Sequence, residues 1–207
     1  QLWMANGSIL TGFGSAAGFP ESSINDTEDT TMKRLGVFLS ATFLALSAQA
    51  VEIGGVDMPD EMKTVDSQTL KLNGAGIREK WMMDLYVGAL YLKQQESDAV
   101  KVIKSEDEMA IRLHIVSDLI TSEKMTSATV EGLTNATHGN TAPIQKEIDA
   151  FLGTFKEPIK KGDVFDLVYV PNEGVKVFKN NQLKNTIAGQ EFKQAMFGIW
   201  LCDEPAQ

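Results

Sequence analysis

Residues 69–92, TLKLNGAGIREKWMMDLYVGALYL, restrict the fold more than any other passage of this chain. They are dense in apolar, aromatic and β-favouring side chains, and they carry no 3.6-residue period around the Gly-Ala-Gly break. A chain holding such a stretch has to build a sheet and find cover for its apolar face. The pattern predicts two strands joined across residues 73–76, or one strand bent there.

Further along, Ser97 is a candidate N-cap for a short amphipathic helix over DAVKVIKS, with Ala99, Val100, Val102 and Ile103 inward. Residues 108–116 alternate, Ile111, Leu113 and Ile115 on one face and Arg112 and His114 on the other, as a half-buried strand does. Two helices are expected next. One covers 122–134 with Met125, Thr129, Gly132 and Leu133 inward; the other covers 143–155 with Ile144, Ile148, Phe151, Leu152 and Phe155 inward, Pro143 suiting its first turn. The polar stretch TNATHGN between them makes His138 and Gly139 turn residues. VFDLVYV, VKVFK and LKNTI, separated by Pro171 to Gly174 and by Asn180-Asn181, read as an antiparallel meander, and GQEFKQAMFGIWL as a closing helix. Strands, then helices, then a meander and a helix give the α+β class, an antiparallel sheet with helices on one face and the other face open to water.

The first fifty residues stand apart from this pattern. From Met32 the chain reads Met-Lys-Arg, an apolar run at 35–47 and then Ala48-Gln49-Ala50, the layout of a secretory signal peptide cleaved before Val51. Thirteen apolar residues at ~1.5 Å each reach about 20 Å, short of the ~30 Å hydrocarbon layer, so a spanning anchor is disfavoured. Residues 1–31 lack sustained periodicity and read as an upstream or artefactual, disordered segment; 32–50 are the signal peptide, and 51–207 form one domain. The expected location is the periplasm or the medium, with no stable membrane anchor after cleavage.

Leaving out Lys33, Arg34, Glu21, Asp26, Glu28 and Asp29 gives residues 51–207 seventeen basic against twenty-four acidic side chains, net −7. That charge repels phosphate backbones, and no basic block with interleaved aromatics offsets it, so nucleic acid is not an expected partner. One cysteine, Cys202, allows no internal disulfide. Two histidines, His114 and His138, with no Cys/His cluster, supply too few ligands for zinc; neither a metal nor a cofactor is expected.

The strand passage, with Gly76-x-Arg78 followed by Tyr86-x-x-x-x-Tyr91, the passage at 162–201 closing on Ile199-Trp200-Leu201-x-Asp203-x-Pro205, and the helix pair between them resemble the chalcone isomerase-like family. The resemblance implies an open-faced sandwich with a ligand cleft between sheet and helices. Plant chalcone isomerases close a flavanone ring using an arginine, a strand threonine and a Tyr-x-x-Lys-x-x-x-Asn helix, whereas non-catalytic relatives bind fatty acids. Here the arginine aligns with Arg78, Tyr86 replaces the threonine, and the helix reads Met125-x-x-Ala128-x-x-x-Gly132, so the catalytic helix pattern is absent. Arg78 and Tyr86 are therefore the implied ligand-binding residues, holding the carboxylate of a small amphipathic ligand by charge-assisted hydrogen bonds. No residue is assigned a catalytic role.

Without the resemblance, Arg78 reads as a solvated strand-end charge and Tyr86 as ordinary core or rim. Eight residues of straight strand would also hold them ~26 Å apart, so a shared site requires chain reversal near Glu79 to Met82. Glycine is usual in relatives at the place of Cys202, which implies that a positive-φ conformation is either strained or shifted there. The leading expectation is a fatty-acid-type binding protein. The alternatives are an intramolecular lyase acting on another ring-forming substrate and an interaction domain whose cleft is filled by Trp81, Met82 and Met83.

Overall fold

The computed structural model describes residues 50–80, 82–203 and 205. The expectations for residues 1–31 and for the signal segment, Ala50 apart, lie outside them. Strands β1 (Ala50–Ile53) and β2 (Val56–Pro59) form a two-stranded ribbon. Strands β3 (Glu61–Lys63), β4 (Thr69–Lys80), β5 (Met83–Leu92), β6 (Met109–Ile115), β7 (Val164–Val170), β8 (Gly174–Lys179) and β9 (Gln182–Ile187) form one antiparallel sheet, each paired with its neighbour in sequence. The helices are α1 (Ala99–Lys104), α2 (Ser122–Ala136), α3 (Gln145–Leu152, between single 3₁₀ turns) and α4 (Gln190–Leu201). The class is α+β, as the order of periodic segments predicts.

One face of the sheet makes the main core. Leu90, Ile111, Leu113, Ile115, Phe165, Leu167, Val175 and Val177 meet Met125, Leu133, Ile148, Phe151, Phe192, Met196 and Ile199 from the helices. Helix α2 buries Met125, Thr129, Gly132 and Leu133, the four positions its period selects. Gly132 is there for close approach: a Cβ would lie 2.7 Å from Ile199 Cγ2 of α4, well inside contact distance.

The other face is not left to water. Val56 and Met58 of the ribbon bury against Val87, Ala89, Tyr91, Ala110 and Val168, and Tyr91 Oη donates to the Pro59 carbonyl at 3.0 Å. The reason is on β5, whose alternate residues on this side are apolar too, so exposing them would forfeit burial worth roughly 25 cal/mol per Å². Arg112 and Asp166, opposite each other on β6 and β7, pair on this face through two bonds of 2.7 and 2.8 Å. His114 is half-buried beside them, and burial with the Arg112 charge lowers its pKa.

Three local expectations are corrected. Of the two readings of residues 73–76, the strand junction fails: β4 runs through them with a one-residue bulge at Asn73, whose amide donates to the Glu96 carbonyl and accepts from the Glu96 N–H. The cap of α1 is Asp98, not Ser97, because its carboxylate accepts from Val100 N and Lys101 N at 2.9 and 3.2 Å; Val100 is exposed and Val102 is the residue that α1 buries. Cys202 sits at φ −75° and ψ 176°, an extended conformation open to any residue, so the expected strain is absent.

Lys193 carries no sequence signal and is fully buried. Its ammonium donates to the carbonyls of Val102, Ile103 and Ser105 at 3.3, 2.8 and 2.6 Å, closing the C-terminus of the six-residue α1. Burial pushes its pKa down to about 8, with Glu106 acting in the opposite direction.

Candidate functional site

The reversal that a shared site requires exists. Lys80 pairs with Met83, so β4 turns into β5 between these two residues, and Arg78 stands directly opposite Tyr86. Opposed residues of an antiparallel pair have Cα atoms about 4.5–5.5 Å apart, against the ~26 Å of a straight strand. Register shifts between Arg78 and Glu79, so that Leu85 is the extra residue on β5. That bulge lets consecutive residues Leu85 and Tyr86 both pack toward the helix-covered core.

Sheet and helices part here to leave a cleft of about 450 Å³, within the span of ligand pockets. Its floor is Arg78, Leu85, Tyr86 and Leu113; α2 supplies Lys124, Met125, Ala128, Glu131 and Asn135; the loop before α2 gives Leu119 and Ile120, and α4 gives Trp200. Arg78 Nη1 is buried with no hydrogen-bond partner. A charged donor left so costs more than the roughly 1–3 kcal/mol of a neutral one, which suits the place to an incoming acceptor.

Tyr86 is held as a donor. Its Oη accepts from Trp200 Nε1 at 3.0 Å, leaving the phenolic proton free to be given. Burial raises the Tyr86 pKa, with the Trp200 hydrogen bond and the Arg78 charge opposing, so the hydroxyl is protonated at neutral pH. Two donors thus face the cleft from adjacent strands. Met82 does not fill the cleft: it is 97% exposed at the hairpin tip, and Met83 reaches only the rim. Trp81, the third residue of that expectation, lies outside the described residues.

A family model described as chalcone isomerase-like matches residues 50–207. The chain belongs to the chalcone isomerase-like family. No curated protein matches it in sequence. Among solved structures, a fatty-acid-binding protein of Arabidopsis thaliana superposes with a TM-score of 0.63 at 15% identity, over 76% of this chain and 91% of that one. At that identity the likeness establishes the shared fold.

Of the helix positions compared with the chalcone isomerase-like catalytic pattern, Met125 and Ala128 line the cleft, whereas Gly132, aligned in sequence with the catalytic asparagine, packs on α4. The side of α2 that faces the cleft carries charges of both signs, Lys124 and Glu131 among them. Trp200, quoted in the sequence only as part of a family signature, is the site residue that sequence reasoning missed; its bond to Tyr86 spans 114 residues.

Proposed function

We propose that the protein binds a monoanionic amphipathic carboxylate of the fatty-acid type, its head group between Arg78 and Tyr86 and its tail along the apolar side of the cleft. The observation that carries this is the unpartnered, buried Arg78 Nη1 directly across the hairpin from a tyrosine fixed as donor by Trp200. A carboxylate is acceptor-only and supplies what both groups lack. Leu85, Leu113, Ile120 and Met125 give the tail apolar contact. The solved fatty-acid-binding protein of the same fold supports the ligand class.

The non-catalytic reading is preferred over an intramolecular lyase because α2 holds no tyrosine and so lacks the Tyr-x-x-Lys-x-x-x-Asn pattern whose donors would steady a developing enolate. The exported location rests on the pattern at 32–50. Titrating dodecanoate into the wild type, Arg78→Ala and Tyr86→Phe tests the site. Arg78→Ala loses a charge-assisted contact worth roughly 1.5–3 kcal/mol, about 10- to 100-fold in affinity, and Tyr86→Phe loses less. Equal affinities across the three proteins refute it.

A further inference from the structure

The hairpin that brings Arg78 and Tyr86 together ends in a turn whose chemistry is wrong for a turn. Tight hairpin loops favour asparagine and glycine because they accept positive φ, yet this loop holds Met82 at φ +62°. An unbranched apolar side chain has been placed where it gains nothing from the fold: Met82 is 97% exposed. Large apolar groups so exposed at a strained position call for a partner outside the chain.

The surroundings say which partner. Met83 and Leu119, each 41% exposed, stand at this end of the molecule and also line the cleft, so the apolar tip is continuous with the cleft mouth. The Val116 N–H donates to the Leu85 carbonyl at 3.0 Å, holding the start of the Leu119 loop against the hairpin. Glu79 and Asp84 pair across the strands behind the tip and Lys80 follows, so the tip carries no basic excess that would draw it to anionic surfaces. It is a convex apolar point, suited to entering a soft apolar phase.

We propose that this tip touches down on a lipid bilayer, Met82 entering between the head groups so that the cleft mouth opens at the acyl layer. The choice of occupant rests on the carboxylate reading above, because an amphiphile with a long tail resides in membranes, each CH₂ adding about 0.8 kcal/mol to its transfer out of water. Contact is peripheral: among the described residues no helix is long and apolar enough to cross a membrane. It is also apolar in origin, and so insensitive to salt.

Sedimentation with phosphatidylcholine vesicles tests this. The wild type partitions onto them equally at low and high salt. Met82→Asn, which suits the left-handed turn and so keeps the hairpin, partitions about 10-fold more weakly, while Leu183→Asn, removing another exposed apolar group from β9, partitions like the wild type. Dodecanoate titrated in solution binds wild type and Met82→Asn alike. Wild type that ignores vesicles, or a Met82→Asn variant that partitions as well as wild type, overturns the proposal. Met82-dependent partition in a protein that does not bind dodecanoate leaves the bilayer contact standing and removes the carboxylate reading instead.

Discussion

Replacing Trp200 by phenylalanine deletes one hydrogen bond and keeps an aromatic ring of similar shape against the cleft. The bond lost is the 3.0 Å contact from Nε1 to Tyr86 Oη. A neutral hydrogen bond of this kind contributes about 0.5–1.5 kcal/mol net. Its effect on ligand binding is indirect, since it fixes the phenol so that the free proton points at the incoming acceptor. Released, the Tyr86 hydroxyl rotates among orientations, and dodecanoate affinity falls about 2- to 10-fold. The decisive measurement is a double-mutant cycle by calorimetric titration of wild type, Trp200→Phe, Tyr86→Phe and the pair. If Trp200 acts through Tyr86, its substitution costs nothing once the phenolic oxygen is gone, and the coupling energy equals the single-variant loss. A Trp200→Phe penalty of the same size in both backgrounds refutes the reasoning and makes the indole a direct contact or a simple packing group.

Gly132→Ala drives a methyl into Ile199 between α2 and α4, so a urea midpoint should show about 1–3 kcal/mol of destabilisation, and less in an Ile199→Ala background, where Cγ2 is gone. Lys193, with its native pKa pushed down to about 8, releases a proton on folding between that pH and the unfolded value of about 10.4. Its contribution to stability therefore rises with pH through that window, and the stability of the wild type minus that of Lys193→Met should be greater at pH 10 than at pH 7; a difference that is constant or falls contradicts the assignment. N-terminal sequencing of exported protein should find Val51 first, and residues 1–31 on that protein would remove the signal reading.

Where burial falls on one face of an element, residue spacing reveals it. The inward set of α2, the alternation of β6 and the β7–β9 meander follow from residue spacing because the main core lies on one side of each. The misreadings have physical sources. Gly74-Ala75-Gly76 looks like a turn because glycine usually breaks strands, but here the irregularity is a bulge at Asn73, held by two hydrogen bonds to Glu96. The real turn is hidden because a Trp-Met loop contains none of the residues that turns prefer. The ribbon of four-residue strands is too short to show a period, and the second core that it closes went unseen with it. Lys193 violates the pattern outright, and only the C-terminal carbonyls of a helix distant in sequence explain its burial.

The candidate pair Arg78 and Tyr86 follows from family likeness, not spacing, and its chemistry explains why an arginine at that place does not imply a reaction. Catalysis requires contacts that strengthen as charge develops in the transition state; contacts already complete with a stable anion lower the ground state equally and leave the rate unchanged. A guanidinium and a phenol held protonated by burial match a resting carboxylate as well as they would match any fleeting enolate. What a cyclase needs beyond them is a cation or donor aimed where charge appears, and α2 lacks the tyrosine of the family's catalytic helix pattern. A tyrosine in place of the strand threonine acts in the same direction, suiting the proposed anion, which arrives already charged, over one that must be made.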